Sequence, residues 1–371
     1  MIAVCGGGYV VFAAMSVRRF LAVDGHALAD GEGPLPPVSI LKPLHGDPVG
    51  LSDALETFVG QNGGGEVQYV FGMRGEDDPA NGVVRGLQRR HPELDITCVV
   101  DPHVYGENRK ISNLINIATV AKHDVLVISD ADIIVAPGYL RHVVTALNGP
   151  GVGAVTCLYL GRAGVGIWSR LGAMGIDYQF MSNAIVGKTL GLANPCFGST
   201  IALTRDTLTR IGSFDAFKDQ LADDYEIGRA VRGLGLTVAM PPMTVTHRCD
   251  EPRWHGWIGH EIRWARTVRL IDPAGHAGSV ITHPLPFALI AAALLGVSPI
   301  SLALIFTVLG VRIAAKFAID GATGARAGPW WLLPLRDMLS FGVFVASFLG
   351  STVDWQGRRF RVSRDGVLTP L

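Results

Sequence analysis

Apolar residues along the chain fall into two patterns that call for different surroundings. Between residues 38 and 157, short apolar runs at residues 38–41, 67–71, 96–100, 125–129 and 152–157 alternate with helix-periodic segments at 51–59, 82–90, 110–121 and 138–147. Strand and helix in this rhythm predict an α/β layer with a mostly parallel sheet. The second pattern is charge-free length: residues 1–17, 284–311 and 338–353 carry no charge. Runs of that kind suit a bilayer core of roughly 30 Å better than a soluble surface.

Arg18-Arg19 follow the first apolar run and no basic residue precedes it. That is the reverse of a cleavable signal peptide, so the run reads as an anchor, or a truncated one. As one helix, residues 284–311 would extend about 40 Å, longer than the hydrocarbon core. Ser298-Pro299 in its middle leaves two options, a tilted, kinked helix or a tight pair of short helices. Trp330-Trp331 precede the third run and suit an interfacial belt. If Arg18-Arg19 and the tail Arg358-Arg359-Phe360-Arg361 both face the cytoplasm, an even number of crossings follows the central domain. The expected organisation is an anchor at 1–22, a Gly- and Pro-rich linker at 23–37, a domain at 38–272 and a C-terminal membrane region at 273–371 with two or three hydrophobic segments. Residues 161–192 are glycine-rich and apolar, and read either as a bilayer-facing surface or as a core helix with a loop.

Composition supports this division. Hydrophobic residues make up 49% and charged residues 17% of the 371, with a mean hydropathy of +0.32. The net charge is zero, which supplies no basic stripe for a nucleic-acid partner. Cys5, Cys98, Cys157, Cys196 and Cys249 are scattered and contain no Cys-x-x-Cys. Neither a disulfide framework nor a zinc site is indicated, and a reducing, cytosolic setting fits the domain.

Candidate chemistry lies in three acidic clusters, Glu76-Asp77-Asp78, Asp130-Ala131-Asp132 and Asp223-Asp224-Tyr225-Glu226, followed by His260-Glu261-Ile262-Arg263-Trp264. The first two clusters end expected strands, where ligands of α/β sheets bind. No glycine-rich phosphate loop follows the first strand. Asp130 and Asp132 offer hard oxygens for Mg²⁺ or Mn²⁺, which neutralise a diphosphate; alone, such a pair is more often a solvated turn. Asp223 and Asp224 open a helical pattern, where acids cap the helix and complement its dipole. A carboxylate so placed can also act as a general base toward a hydroxyl, so one of the pair can cap while the other acts. His260, Arg263 and Thr267 share a helical face, and Arg263 and Arg266 are candidate donors to a departing pyrophosphate. In isolation that segment is a juxtamembrane amphipathic helix. His247 is a metal-ligand candidate beside its more common structural role.

The order of these motifs resembles the membrane-bound, inverting glycosyltransferases related to ceramide glucosyltransferase, over nearly the whole chain. Residues 38–44 with Gly46 and Asp47 resemble the first strand and nucleotide loop of that family, and Asp77-Asp78-Pro79-Ala80 its first aspartate motif. Arg109-Lys110-Ile111-Ser112-Asn113-Leu114 resembles its Lys-x-x-Asn-Leu helix. Asp130-Ala131-Asp132 and Asp223-Asp224-Tyr225 resemble its second and third aspartate motifs, and His260-x-x-Arg263-Trp264 its closing Gln/Arg-x-x-Arg-Trp. Residues 334–362, with Arg336-Asp337 and Trp355-x-Gly357-Arg358-Arg359, also look like that family.

The resemblance implies a GT-A domain flanked by transmembrane helices. It implies a UDP-sugar held by Lys42, Pro43, Asp77, Asp78, Lys110, Asn113, Asp130 and Arg266, with Mg²⁺ or Mn²⁺ on Asp130 and Asp132. Asp224 would be the base, and Asp223, His260, Arg263 and Trp264 would complete the catalytic set. His260 departs from the Gln or Arg of the family: a neutral imidazole donates one hydrogen bond but carries no fixed charge. Residues 191–200 and 260–269 look closest to the bacterial hopanoid-biosynthesis branch, implying transfer of N-acetylglucosamine to a bacteriohopane polyol at a bacterial inner membrane, by a multi-pass protein with a cytoplasmic catalytic domain. Ceramide glucosylation from UDP-glucose is the alternative, and a non-catalytic lipid-binding membrane protein the alternative from another class.

Overall fold

The computed structural model describes residues 1–22, 33–46, 49–61, 64–355, 357–363 and 365–371. Most of the expected linker, and Asp47, lie outside the described residues. The chain divides into two compact units. One comprises Met1–Val23, Leu160–Ala193 and Cys249–Leu371, the other Asp24–Tyr159 and Asn194–Arg248.

In chain order, α1 (Ile2–Leu21) is followed by β1 (Val38–Pro43), α2 (Leu51–Val59), β2 (Val67–Met73), α3 (Ala80–Arg90), β3 (Asp95–Val100), α4 (Arg109–Ala118) and β4 (Val125–Ile128). Next come β5 (Ile133–Ile134), α5 (Tyr139–Leu147), β6 (Val152–Thr156), β7 (Leu158–Ala163), α6 (Ile167–Gly175), a π-helical turn (Ile176–Phe180) and α7 (Met181–Thr189). The chain then forms β8 (Ile201–Thr204), α8 (Arg205–Arg210), α9 (Asp223–Gly233), β9 (Thr237–Ala239) and β10 (Thr244–Cys249). The remainder is α10 (Trp254–Ile271), α11 (Pro273–Gly278), α12 (Pro284–Leu295), α13 (Pro299–Thr323), α14 (Leu333–Ser347), β11 (Thr352–Trp355), β12 (Arg358–Val362) and β13 (Leu368–Pro370).

The second unit is built on a seven-stranded sheet of order β3-β2-β1-β4-β8-β6-β9. β3, β2, β1 and β4 are parallel to one another, while β8 runs antiparallel to both β4 and β6. The near-continuous apolar runs of β1, β2 and β4 are buried, as a parallel sheet covered on both faces requires. Leu41, Val70 and Leu126 pack with Ile111 and Leu114 of α4 and with Ile227 and Val231 of α9. Pairing Val38 with both Val67 and Val125 aligns the carboxyl ends, so that Lys42 lies opposite Phe71 and Leu41 opposite Ile128. The residues after β1, β2 and β4 therefore emerge along one edge. The strands expected from the apolar runs all form. β8 and β9 are the strands of this sheet that the sequence rhythm misses: β8 has four residues behind a stretch rich in glycine and small polar residues, and β9 has three.

In the first unit, α1 and α13 are each long and apolar enough to cross a membrane, and the pair formed by residues 273–282 and α12, bent by 65°, is a third candidate if counted as one span. The uncharged stretch 284–311 breaks after α12. Gly296 adopts φ 82° and Ser298 caps α13, accepting from the Ser301 amide while the Ser301 hydroxyl accepts from the Ser298 amide, a reciprocal cap that starts a new helix. Of the two options, a kinked helix or a tight pair of short helices, the chain takes a pair, but only its first member is short: α13 is 25 residues long and continues through Arg312, Lys316 and Asp320. Those charges are paired, Arg312 with Asp337 of α14 and Lys316 with Asp320 one turn on. α14 spans 15 residues, about 22 Å and short of a full crossing. The basic tail is strand β12 of an antiparallel sheet, β11-β12-β13. Residues 161–192 contribute buried Leu171, Met174, Met181 and Ile185 to this unit, with Val165 and Leu192 exposed.

α1 approaches its neighbours through glycine. A Cβ at Gly6 would lie 2.6 Å from the Ile281 carbonyl oxygen and 3.0 Å from Pro284 Cβ, whereas one at Gly7 would meet nothing within 4 Å. Gly6→Ala is expected to lower stability by about 1–3 kcal/mol through overpacking and Gly7→Ala to leave it unchanged or slightly raised. Thermal unfolding of the two variants in one detergent checks this.

Candidate active site

The carboxyl edge of the second unit's sheet gathers most of the acidic residues singled out above. Asp130 and Asp132 follow β4, and α9 begins with Asp223 and Asp224. At the centre is Lys110 from the first turn of α4: its Nζ lies 2.7 Å from Asp130 Oδ1 and 3.2 Å from Asp223 Oδ2. Burial opposes the Lys110 charge, but Asp130 and Asp223 outweigh it and raise the pKa above the ordinary lysine value. Asn108 fixes the height of Lys110. Its side chain caps α4 by accepting from the Ile111 amide at 3.0 Å, and its Nδ2 donates to Asp223 Oδ1 at 3.2 Å. Both oxygens of Asp223 are thus held, and only 6% of the residue is exposed.

Asp224 is held differently. Its Oδ2 accepts from the Gly198 amide at 2.9 Å and its Oδ1 from the Tyr225 amide at 2.8 Å, which leaves each oxygen a second lone pair. Burial first, and then the charge of Asp223, push its carboxyl up to about 6. The carbonyl of Gly198 accepts from the Asp130 amide at 3.3 Å, so one glycine ties Asp130 to Asp224. A Cβ at Gly198 would sit 2.8 Å from Asp130 Oδ2 and 2.9 Å from Lys110 Nζ. No motif in the sequence marks Gly198 or Asn108 as part of the cluster, because both act through the backbone or a cap.

Burial raises the Asp130 carboxyl above its ordinary range, with Asp132 and Asp223 adding to the rise against Lys110. Burial works the same way on Asp132, yet His247, whose Nε2 lies 3.1 Å from Oδ2, and Lys42 bring it down to about 2. β10 pairs with β5 in the register His247 to Ile133, which sets the imidazole beside the carboxylate. Asp132 Oδ1 is buried without a hydrogen-bond partner. An orphaned carboxylate oxygen beside a second carboxylate suits one hard divalent cation. Among the described residues no group of three His, Cys, Asp or Glu side chains is arranged to hold a metal; a cation on Asp130 and Asp132 would need further oxygens from its ligand.

Other sequence candidates are engaged with the scaffold. Lys42 is fully buried, donates to the Asp130 carbonyl at 2.8 Å and lies 3.7 Å over the Phe58 ring; burial pushes its pKa down to about 7. The next residue, Pro43, ends β1 opposite Gly72. Asn113 donates to the Gly72 carbonyl at 2.8 Å and is buried, so it joins strand ends. Asp78 accepts from the Gly46 and Ala80 amides at 2.9 and 3.0 Å and contacts His45 at 3.1 Å, which anchors the loop after β1. Asp77 is exposed beside it.

His260, Arg263, Trp264 and Arg266 lie on α10 in the first unit. The His260 ring stands edge-on to Trp264, with centroids 4.5 Å apart, and Phe180 of the π-helical turn contacts the same indole. His260 Nδ1 lies 3.2 Å from Glu251. Arg266 donates to the carbonyls of Thr352 and Leu349 at 2.6 and 3.0 Å. That guanidinium therefore anchors the chain between α14 and β11, where the sequence had suggested a pyrophosphate donor.

The sequence model of glycosyl transferase family 21 matches residues 1–368. Ceramide glucosyltransferase 1 of Caenorhabditis elegans is 22% identical over 360 residues, covering 92% of this chain and 75% of that protein. Ceramide glucosyltransferase 3 of the same organism is 21% identical over 367 residues, with 93% and 77% covered. Among solved structures, the mannosyltransferase PcManGT of Pyrobaculum calidifontis, in complex with GDP-Man and Mn²⁺, has a TM-score of 0.50 at 20% identity and covers 94% of this chain and 99% of its own. That likeness shows the fold, GT-A. With the family match running through residue 368, the chain belongs to glycosyl transferase family 21 and is a glycosyltransferase.

Proposed function

We propose that the protein transfers a sugar from a UDP-sugar to a hydroxyl of a membrane lipid, with inversion. What carries this reading is the single loop through which Gly198 links Asp224 to Asp130, so that a candidate base and a candidate diphosphate-binding carboxylate are held in fixed relation. Asp224 accepts the proton of the lipid hydroxyl as its oxygen forms a bond to the anomeric carbon. The bond from that carbon to the diphosphate breaks, and its electron pair leaves with UDP. A carboxyl near 6 suits the task, because it is ionised at neutral pH yet basic enough to take a proton. Lys110 balances the carboxylates beside the diphosphate. A divalent cation on Asp130 and Asp132 would supply charge stabilisation for the leaving diphosphate, as the Mn²⁺ in the mannosyltransferase complex suggests by analogy. The family resemblance assigns Arg263 and Trp264 to the pyrophosphate and acceptor side.

For the acceptor, the resemblance of residues 191–200 and 260–269 favours a bacteriohopane polyol with N-acetylglucosamine, at the inner membrane of a bacterium and with the catalytic domain on the cytoplasmic side. A second reading, ceramide with glucose, is favoured by the similarity to the two nematode ceramide glucosyltransferases. Supplying each lipid with UDP-glucose and UDP-N-acetylglucosamine should yield one dominant glycolipid, and its mass distinguishes the readings. A product from neither lipid would remove both.

Asp224→Asn should lower turnover by about 10² to 10⁴. Wild-type turnover should rise with pH through about 6, because only the ionised carboxylate accepts a proton, and the residual turnover of Asp224→Asn should lack that limb. UDP release across pH 5 to 8 measures both. Chelation should abolish UDP release and added Mg²⁺ or Mn²⁺ restore it; full activity after exhaustive chelation would sink the metal role.

A further inference from the structure

Helix α10 carries three of the residues assigned to the transfer, so its rotation about its own axis decides where their side chains point. Glu261 stands between His260 and Arg263 on this helix, and its carboxylate receives Nη2 of Arg336 at 2.8 Å. Arg336 comes from α14, is 5% exposed, and has its guanidinium carbon 5.6 Å from the ring centre of Trp257. Trp257 precedes Glu261 by four residues, one turn of helix. A single guanidinium therefore grips α10 at two levels of one face, by charge and by cation–π contact.

Three further observations show that this contact is built. A Cβ at Gly175 would fall 2.0 Å from Arg336 Nη2, so the end of α6 admits the guanidinium only because that residue is glycine. The neighbouring Asp337 forks onto Arg312 of α13 at 2.8 and 2.5 Å, which fixes the start of α14 to the long apolar helix. Nε and Nη1 of Arg336 are buried without hydrogen-bond partners, leaving Glu261 as the carboxylate that receives its charge.

We propose that the Arg336–Glu261 pair is a positioning device for the transfer, holding α10 in the rotation that aims His260, Arg263 and Trp264. The proposal rests on the reading that those three residues serve the reaction. Glu261 itself is turned to Arg336 and is no catalytic residue. Its effect is on alignment, where a misplacement of about 1 Å can cost 10²-fold in rate.

The test uses the purified full chain with UDP-sugar and lipid acceptor, following turnover, KM for the donor and thermal unfolding. Glu261→Met with Arg336→Met replaces the buried pair by apolar side chains, an exchange that often preserves stability. The expected result is an unfolding temperature close to that of the wild type, with kcat reduced about 10- to 100-fold and KM little changed. Wild-type kcat at a retained unfolding temperature would overturn the proposal. Arg263→Ala is run alongside: if it leaves turnover intact, the assignment of α10 to the reaction fails independently of the pair. Should the double Met variant not fold, Arg336→Lys decides, because it keeps the charge but loses the planar fork. A reduced kcat at wild-type KM supports positioning, and wild-type kcat overturns it.

Discussion

One partly buried positive charge, that of Lys110, makes the acidic cluster possible. Four carboxylates, Asp130, Asp132, Asp223 and Asp224, are drawn to the carboxyl edge of a parallel sheet and the start of α9, where mutual repulsion and lost hydration both resist ionisation. Lys110 answers this by contacting Asp130 and Asp223 together. Its position is not adjustable, since Asn108 caps α4 and binds Asp223 at the same time. The balance is also incomplete. Asp224 receives amide hydrogen bonds, yet burial and then the charge of Asp223 raise its carboxyl, while that of Asp132, beside His247, falls. The cluster thus separates acids of similar kind into members suited to different tasks: burial raises Asp130 and Asp224, while His247 and Lys42 lower Asp132.

Much of the sheet was legible in the sequence because β1, β2 and β4 are buried on both faces and read as uninterrupted apolar runs. The acidic clusters were legible for a related reason: a polar residue at the end of such a run has few structural uses. What was not legible is what depends on pairing across sequence. The family resemblance assigns Lys42 to the UDP-sugar, yet it is buried over Phe58 and bonded to the Asp130 carbonyl. Asn113 and Arg266 read as ligand contacts, and their donors go to backbone carbonyls. A motif identifies which polar residues belong together, but the count of remaining hydrogen-bond capacity, which decides what can still hold a ligand, exists only in three dimensions.

The same limit governs the membrane-like unit. An uncharged run ends at Arg312 in the sequence, and a one-dimensional reading stops the apolar helix there. The helix continues because Arg312 meets Asp337 and Lys316 meets Asp320, and Tyr178 donates to that same aspartate at 2.6 Å. Paired charges cost far less to bury than single ones. Where lipid surrounds a bundle, apolar contacts between helices gain little over contacts with acyl chains. Directional contacts then choose among rotations of a helix that apolar packing alone would leave nearly equal in energy. In this unit such contacts recur on each face: Gln179 with Ser340, Tyr9 with Asn183, Arg336 with Glu261. The π-helical turn concentrates them, since Asp177 accepts from the Gly161 amide, Tyr178 reaches α13, Gln179 reaches α14 and Phe180 reaches Trp264 of α10. An extra residue per turn lets consecutive side chains address several neighbours that a regular α-helix would present on fewer faces. A break in regular structure thus adds to what fixes the regular helices around it, reaching the one that carries His260, Arg263 and Trp264 through Phe180.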